Sequence, residues 1–242
     1  MDKQPPKPRK SMHSQIVQDL GMAIVSGRFK PEERLPMEST LCEQYQVSRS
    51  VLREATRVLS AKGLVYSKPR VGAVVRSRSK WHLLDPDVLA WLMQSTPHSK
   101  FFDTLSGVRR ILEPEIAAMT AVTATDDDIA AIEKAYLGME TATNHEDLLQ
   151  ADLDFHRAIA EATHNDLLAY MCNMLSLPLR ESINITNRRP DPDIQCLSLP
   201  RHKAILTAIQ NRDALAARHA SLVQLDDTRV ALHTVMNTLT PL

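Results

Sequence analysis

Four residues of this chain are of types that do chemistry and stand where apolar side chains belong. In "HEDLLQADLDFHRAIAEATHN", residues 145 to 165, Asp152 and His156 are four apart and share a helix face with Leu148, Leu149, Phe155 and Ile159. His202 in "RHKAILTAIQ" falls on the stripe of Ile205, Leu206 and Ile209, and Arg109 in "FFDTLSGVRRILEPEIA" on that of Phe102, Leu105, Leu112 and Ile116. Stripes of that period face a core. Burying a polar group without a partner costs roughly 1–3 kcal/mol, and an isolated charge more. These side chains therefore need one another, a metal or an anion. Asp and His one turn apart can both ligate one ion, and a third ligand from another helix completes a facial set with open positions. Arg109 adds a planar fork suited to a carboxylate. Each residue alone is compatible with a hydrogen-bonded core position; as a set they predict a small-molecule pocket. Catalysis explains them poorly, because the chain has no Ser/His/Asp order, no Gly-rich phosphate loop and no HExxH.

A second set lies near the amino terminus. "SRSVLREATRVL", residues 48 to 59, spaces Arg49, Arg53 and Arg57 four apart. At about 100° per residue the three arginines fall at roughly 0°, 40° and 80°, while Val51, Leu52, Ala55, Val58 and Leu59 fall between roughly 180° and 300°. A basic ridge opposite a packed face is either a solvated surface or a surface for a polyanion, and the flanks decide. Two short amphipathic helices, about Glu38 to Tyr45 and Ser48 to Ala61, are separated by only "QV". So tight a joint forces the second across the first, the helix-turn-helix arrangement. Ser48 is a suitable N-cap, leaving the positive end of the helix at the same tip as Arg49 and Ser50, the tip that enters a major groove in this motif. After Gly63, "LVYSKPRVGAVVRS" reads as a two-stranded hairpin with Pro69, Arg70 and Gly72 at its tip. A basic hairpin beside a basic helix can follow the backbone into an adjacent groove.

The elements that must carry these sets divide by charge. The chain of 242 residues has a net charge of zero, yet residues 1 to 80 hold 16 Lys and Arg against 7 Asp and Glu, and the remainder holds 13 against 22. A basic module joined to an acidic one is the asymmetry expected when one end meets nucleic acid. Hydrophobic content of 43% with only 4% aromatics favours aliphatic helix packing. "MDKQPPKPRK", residues 1 to 10, predicts a disordered basic arm. Residues 11 to 78 predict the DNA-binding module, 79 to 100 a connector, and 101 to 238 an all-helical module whose pattern breaks at "TPHS", "TATD", "TNHED", "THND", "RRPDPD" and "QNRD". The apolar residues of "WHLLDPDVLAWL", 81 to 92, predict a docked connector, with Trp81 and Trp91 carrying any coupling between modules. Cys42, Cys172 and Cys196 lack CxxC spacing and suggest neither disulfides nor a thiolate zinc site. No apolar run approaches the roughly 20 residues that span a bilayer, and no secretory pattern is present, so a cytoplasmic protein is expected.

Leu35, Pro36 and Glu38, then "VSR" at 47 to 49, "REA" at 53 to 55 and the glycine-containing wing, resemble the winged helix of GntR-family regulators. That resemblance implies DNA contact by Ser48, Arg49, Arg53, Arg70 and Gly72, to which the helix tip and basic ridge add Ser50 and Arg57, in a homodimer on two-fold operator DNA. "DLDFHRAIAEATHN" followed by "RHKAILTAIQNRDALAA" is similar to the all-helical FCD effector domain of the FadR subfamily. Many members bind a divalent metal (Zn, Ni or Mn) that helps hold a carboxylate inducer, and Asp152, His156 and His202 match three of the ligand positions. The usual fourth falls on Gln224, which still faces inward, whereas His219 lies on the opposite face. Arg109, Arg180, Asn184 and Gln224 are the effector-binding candidates, with Asn187 and the loop "NRRPDPDIQCLSLP" as a lid. "WHLLDPDVLAWL" with "VRRILEPEIA" looks most like the galactonate-operon repressors of this subfamily, which implies a sugar-acid effector. The expected whole is mostly α: an N-terminal winged helix-turn-helix domain and an all-α helical-bundle effector domain, in a regulator and not an enzyme.

Overall fold

A computed structural model describes residues 12–175, 178, 180 and 192–239. The arm at 1–10, Asn184 and Asn187 lie outside the described residues. The chain forms two compact units that meet in sequence between Thr96 and Pro97, and it is mostly helical, with one two-stranded sheet among the described residues.

In the first unit, α1 (Met12–Val25) buries Ile16, Val17, Leu20, Ala23 and Ile24, the positions at which its apolar residues recur. α2 (Glu38–Tyr45) ends at Gln46, whose left-handed φ of 53° turns the chain sharply enough for α3 (Arg49–Ala61) to start three residues later. Ser48 caps α3, its Oγ accepting from the Val51 N–H at 3.5 Å. The helix buries Leu52, Ala55 and Leu59, the face opposite the arginines, and packs on α1. β1 (Val65–Lys68) and β2 (Gly72–Val75) pair antiparallel, with Val65 opposite Val75 and Lys68 opposite Gly72. Arg70 at φ 62° and Gly72 at φ 101° supply the left-handed backbone of the tip. The Leu35 N–H donates to the Ala73 carbonyl at 2.9 Å, anchoring the hairpin to the segment before α2.

Of the segment expected as a connector, residues 79–96 belong to this first unit, and 98–100 instead open the first helix of the second. α4 (Pro86–Ser95) is capped by Asp85, which accepts from the Asp87 and Val88 N–H groups at 3.0 and 3.2 Å and also receives the Lys62 ammonium at 2.8 Å. Trp91, 1% exposed, donates its indole N–H to Gln18 Oε1 of α1 at 2.8 Å. Its ring lies directly on Gly21, where an added Cβ would come within 2.3 Å of it. Trp81 donates to the Arg76 carbonyl at 3.0 Å.

The second unit comprises α5 (His98–Thr123), α6 (Asp126–Glu140), α7 (His145–Glu161), α8 (Asp166–Met174), α9 (Pro192–Gln210) and α10 (Ala214–Leu239). Four of its starts carry side-chain caps: Thr125 in a reciprocal capping box with Asp128, Asn144 accepting from Asp147, Asn165 accepting from Leu167 and Leu168, and Asp213 accepting from Ala216 at 2.9 Å. Ile116, Ile132, Tyr136, Phe155, Ile205 and Ile209 belong to its main core. Thr120 Oγ1 donates to the Ile159 carbonyl at 2.6 Å and Thr123 Oγ1 to that of Ala162 at 2.9 Å, which fixes α5 along α7. α8 is different: none of its side chains is fully buried, and Leu167 and Tyr170 are exposed.

Candidate functional site

The amphipathic period of α3 turns its arginines outward. Arg49, Ser48 and Ser50 form the exposed tip of the helix, where the two hydroxyls lie 2.8 Å apart. Arg53 Nε donates to Glu38 Oε1 of α2 at 3.0 Å, and Arg57 Nη1 to Glu54 Oε2 at 3.2 Å. Arg49 has no ion pair among the described residues. Exposed pairs of this kind contribute about 0–1 kcal/mol, so a phosphate can replace either acid at small cost. Arg70 stands exposed at the hairpin tip. Arg34, which sequence reasoning did not single out, lies at the base of the hairpin, bridged to Val74, with its Nε 3.8 Å from where a Gly72 Cβ would be.

In the second unit three helices converge on one polar centre. α7 supplies Asp152 and His156, α9 supplies His202, and α5 supplies Arg109 together with Glu113, a residue not assigned from sequence. Asp152 Oδ1 lies 3.4 Å from His156 Nε2 and Oδ2 lies 3.7 Å from His202 Nε2. One ligand atom from each of these residues comes within 4.8 Å of the others. His156 Nε2 is buried and, among the described residues, finds no hydrogen-bond partner despite its neighbour. An orphaned, buried imidazole nitrogen facing a carboxylate and a second imidazole fits a divalent ion of the borderline-soft kind. His156 Nδ1 meanwhile faces Glu113 Oε2 at 3.5 Å, the carboxylate support that orients a ligating imidazole. Burial pushes the His156 pKa down, against the opposing pull of Glu113 and Asp152. His156 is thereby kept in the neutral form that binds metal.

Arg109 is 3% exposed and its fork is engaged by Glu113, Nε to Oε1 at 2.5 Å and Nη2 to Oε2 at 3.2 Å. Burial raises the Glu113 pKa, but the Arg109 guanidinium, by its charge and its hydrogen bonds, holds the carboxyl below its usual range. Burial, with Glu113 beside it, pushes the Cys172 thiol up to about 12, so it is an uncharged wall. Arg109, Glu113, His156, Cys172, Ile205 and Ser221 are among the residues lining a cavity of about 30 Å³, the space of roughly one water molecule.

The other described candidates are not among the residues lining this cavity. Gln224 is 6% exposed, its Nε2 donates weakly to Thr228 Oγ1 at 3.4 Å, and its Oε1 is buried without a hydrogen-bond partner. Arg180 pairs with Glu146 in the first turn of α7 and does not line the cavity. His219 is not part of the polar centre.

A winged helix-turn-helix joined to a helical unit built around a buried polar cavity defines a class, the DNA-binding transcriptional regulators with a separate second module. A family model described as bacterial regulatory proteins, gntR family, matches residues 12–75, and one for the FCD domain matches residues 104–227. The chain is 35% identical to the galactonate operon transcriptional repressor of Escherichia coli (strain K12) over 213 residues, 87% of this chain and 92% of that protein. It is 32% identical to the Uxu operon regulator of Haemophilus influenzae, over 91% of this chain and 81% of that one. A solved GntR structure from Streptococcus agalactiae matches at a TM-score of 0.51 and 25% identity, covering 90% of this chain and 99% of that chain. The chain belongs to the gntR family of bacterial regulatory proteins and carries an FCD domain. Its relatives are transcriptional regulators and not enzymes. Among the described residues no helix is long and apolar enough to cross a membrane.

Proposed function

We propose that this regulator is a repressor of genes for sugar-acid breakdown, released from its operator when an anionic sugar acid binds beside a divalent metal held by Asp152, His156 and His202. The charge balance of the cavity carries the reading. One cation, Arg109, faces two carboxylates, Glu113 and Asp152, so the bare centre repels anions. A divalent ion, when bound, reverses that sign and offers a Lewis-acidic contact to a carboxylate or hydroxyl oxygen. The chain's own part is to hold the ligand set by burial, orient His156 through Glu113, and keep Arg109 in place. The similarity to a galactonate operon repressor supports a sugar acid as the effector class.

Two further features support the regulatory reading. Val108, Ile111, Met119 and Val122 form an exposed apolar stripe along α5, suited to a second copy of the chain, and a two-fold dimer matches a two-fold operator. Only Thr96 and Pro97 join α4 to α5. In this proposal a ligand-dependent change at α5, which carries Arg109 and Glu113, reaches the first unit through that joint and through α4, whose Trp91 is seated on α1. A ligand preference of about 1.4 kcal/mol between the two states gives a tenfold change in DNA affinity.

The test is fluorescence anisotropy of the purified protein on DNA from the intergenic region beside its own gene, at fixed salt, with aldonates and uronates in turn. Release by one sugar acid is expected. Tight binding unaffected by any of them would discard the sugar-acid effector.

A further inference from the structure

The cavity at the polar centre is too small for the ligand that its chemistry invites. It holds about 30 Å³, whereas sites for organic ligands run to roughly 300–1,000 Å³. Next to it, between α7 and α8, lies a groove of about 220 Å³ lined by Gln150, Asp154, His156, Arg157, Cys172 and Asn173 with Leu153. His156 and Cys172 line both spaces, so the two adjoin at one imidazole and one thiol.

The chemistry of the two spaces differs in a way that orients a ligand. The groove carries no surplus positive charge: Arg157 pairs with Asp154 at 2.7 Å and lies 3.9 Å from Glu161. It is no site for a carboxylate. It is rich in neutral and paired hydrogen-bonding groups. Gln150 Nε2 donates to Asp154 Oδ1 at 3.0 Å, which leaves its carbonyl oxygen to accept, and Asn173 offers an amide from the opposite helix. Two amides and an ion pair fixed on facing helices match a chain of hydroxyl groups. The far wall is lightly packed, since α8 contributes no fully buried side chain.

We propose that the groove between α7 and α8 binds the neutral polyhydroxylated tail of the effector, whose carboxylate lies on the inner side of His156 and Cys172. This rests on the sugar-acid reading above and adds the part of the site that distinguishes a long aldonate from a short acid. Gln150 and Asn173 are then specificity residues. Both are exposed, so replacing them leaves the core intact.

The experiment is calorimetric titration of the full-length protein with zinc, and of the zinc-loaded protein with galactonate, for wild type, Gln150→Leu, Asn173→Leu and Asp152→Ala. Gln150→Leu and Asn173→Leu each bind zinc as wild type does and lose roughly tenfold in galactonate affinity, the worth of one well-made polar contact. Wild-type galactonate affinity in both variants overturns the groove assignment while leaving the inner site standing. Loss of zinc binding in both also overturns it, since the two spaces would then not be separable. Failure of the wild type to bind galactonate, or undiminished galactonate binding by Asp152→Ala, overturns the underlying effector reading instead.

Discussion

Replacing Gly21 by Ala sets two physical effects against each other. Alanine in the middle of an exposed helix is worth about 0.5–1 kcal/mol over glycine. At Gly21, however, the new Cβ would meet Trp91 Cη2, Cζ3 and Cζ2 at 2.3, 2.4 and 2.7 Å. Carbon atoms prefer about 3.5–4.0 Å, so the ring must retreat by more than 1 Å. Trp91 is almost wholly enclosed and tethered through its indole N–H to Gln18. Overpacking of this kind costs typically 1–3 kcal/mol. The two terms leave Gly21→Ala destabilising by up to about 2 kcal/mol. Gly107 in α5 is the matched control, since nothing lies within 4 Å of its added Cβ, and Gly107→Ala should stabilise. Urea denaturation followed by tryptophan fluorescence and by circular dichroism reads both. The displaced α4 should also weaken the effect of a sugar acid on DNA binding while leaving its affinity for the free protein nearly intact. Were Gly21→Ala to stabilise as much as Gly107→Ala, with the ligand effect unchanged, the close seating of Trp91 on α1 and its part in coupling would both be wrong.

Three other outcomes are expected. Arg49→Ala should weaken operator binding more than Arg57→Ala, and lower the slope of log affinity against log salt by about 1, if Arg49 holds a phosphate; equal losses in an anisotropy titration would contradict this. Glu113→Gln removes the carboxylate that engages the fork of the buried Arg109 and should cost about 3–5 kcal/mol in denaturant unfolding, whereas a cost under about 1 kcal/mol would mean that Asp152 or solvent compensates Arg109. Because burial lowers the His156 pKa in the folded state, the unfolded chain takes up the proton first. Metal-free stability should therefore be full above about pH 6.5 and fall as pH drops from there through the lower folded value. His156→Gln should flatten that slope, and an unchanged slope in paired denaturation curves would assign it to other groups.

Much of this architecture was legible because it rests on local rules. The breaks read at "TATD", "TNHED" and "THND" hold the caps Thr125, Asn144 and Asn165, since short polar side chains satisfy free N–H groups wherever a helix starts. Asp152, His156, His202 and Arg109 were visible as polar intrusions on apolar stripes, and burial with mutual contact follows from the cost of leaving them alone. Glu113 carried a readable signal, an acid one turn after a cation on a buried stripe, but "EPE" resembles an ordinary charged surface. The Arg53–Glu38 pair joins residues 15 apart and depends on how α2 crosses α3, which no periodicity specifies. The apolar residues of the connector predict docking, yet the seat of Trp91 on Gly21 depends on how two helices pack. The small inner cavity and the groove beside it are products of packing among α5, α7, α8 and α9 and have no one-dimensional trace.

The most direct test of the account is calorimetric titration of galactonate into the full-length protein stripped of divalent metal, and again after zinc is restored. Binding that appears only with zinc, and is absent in the restored His202→Ala variant, is the predicted result. Equal galactonate affinity with and without metal would contradict the claim that Asp152, His156 and His202 hold an ion that makes this cavity receptive to an anion.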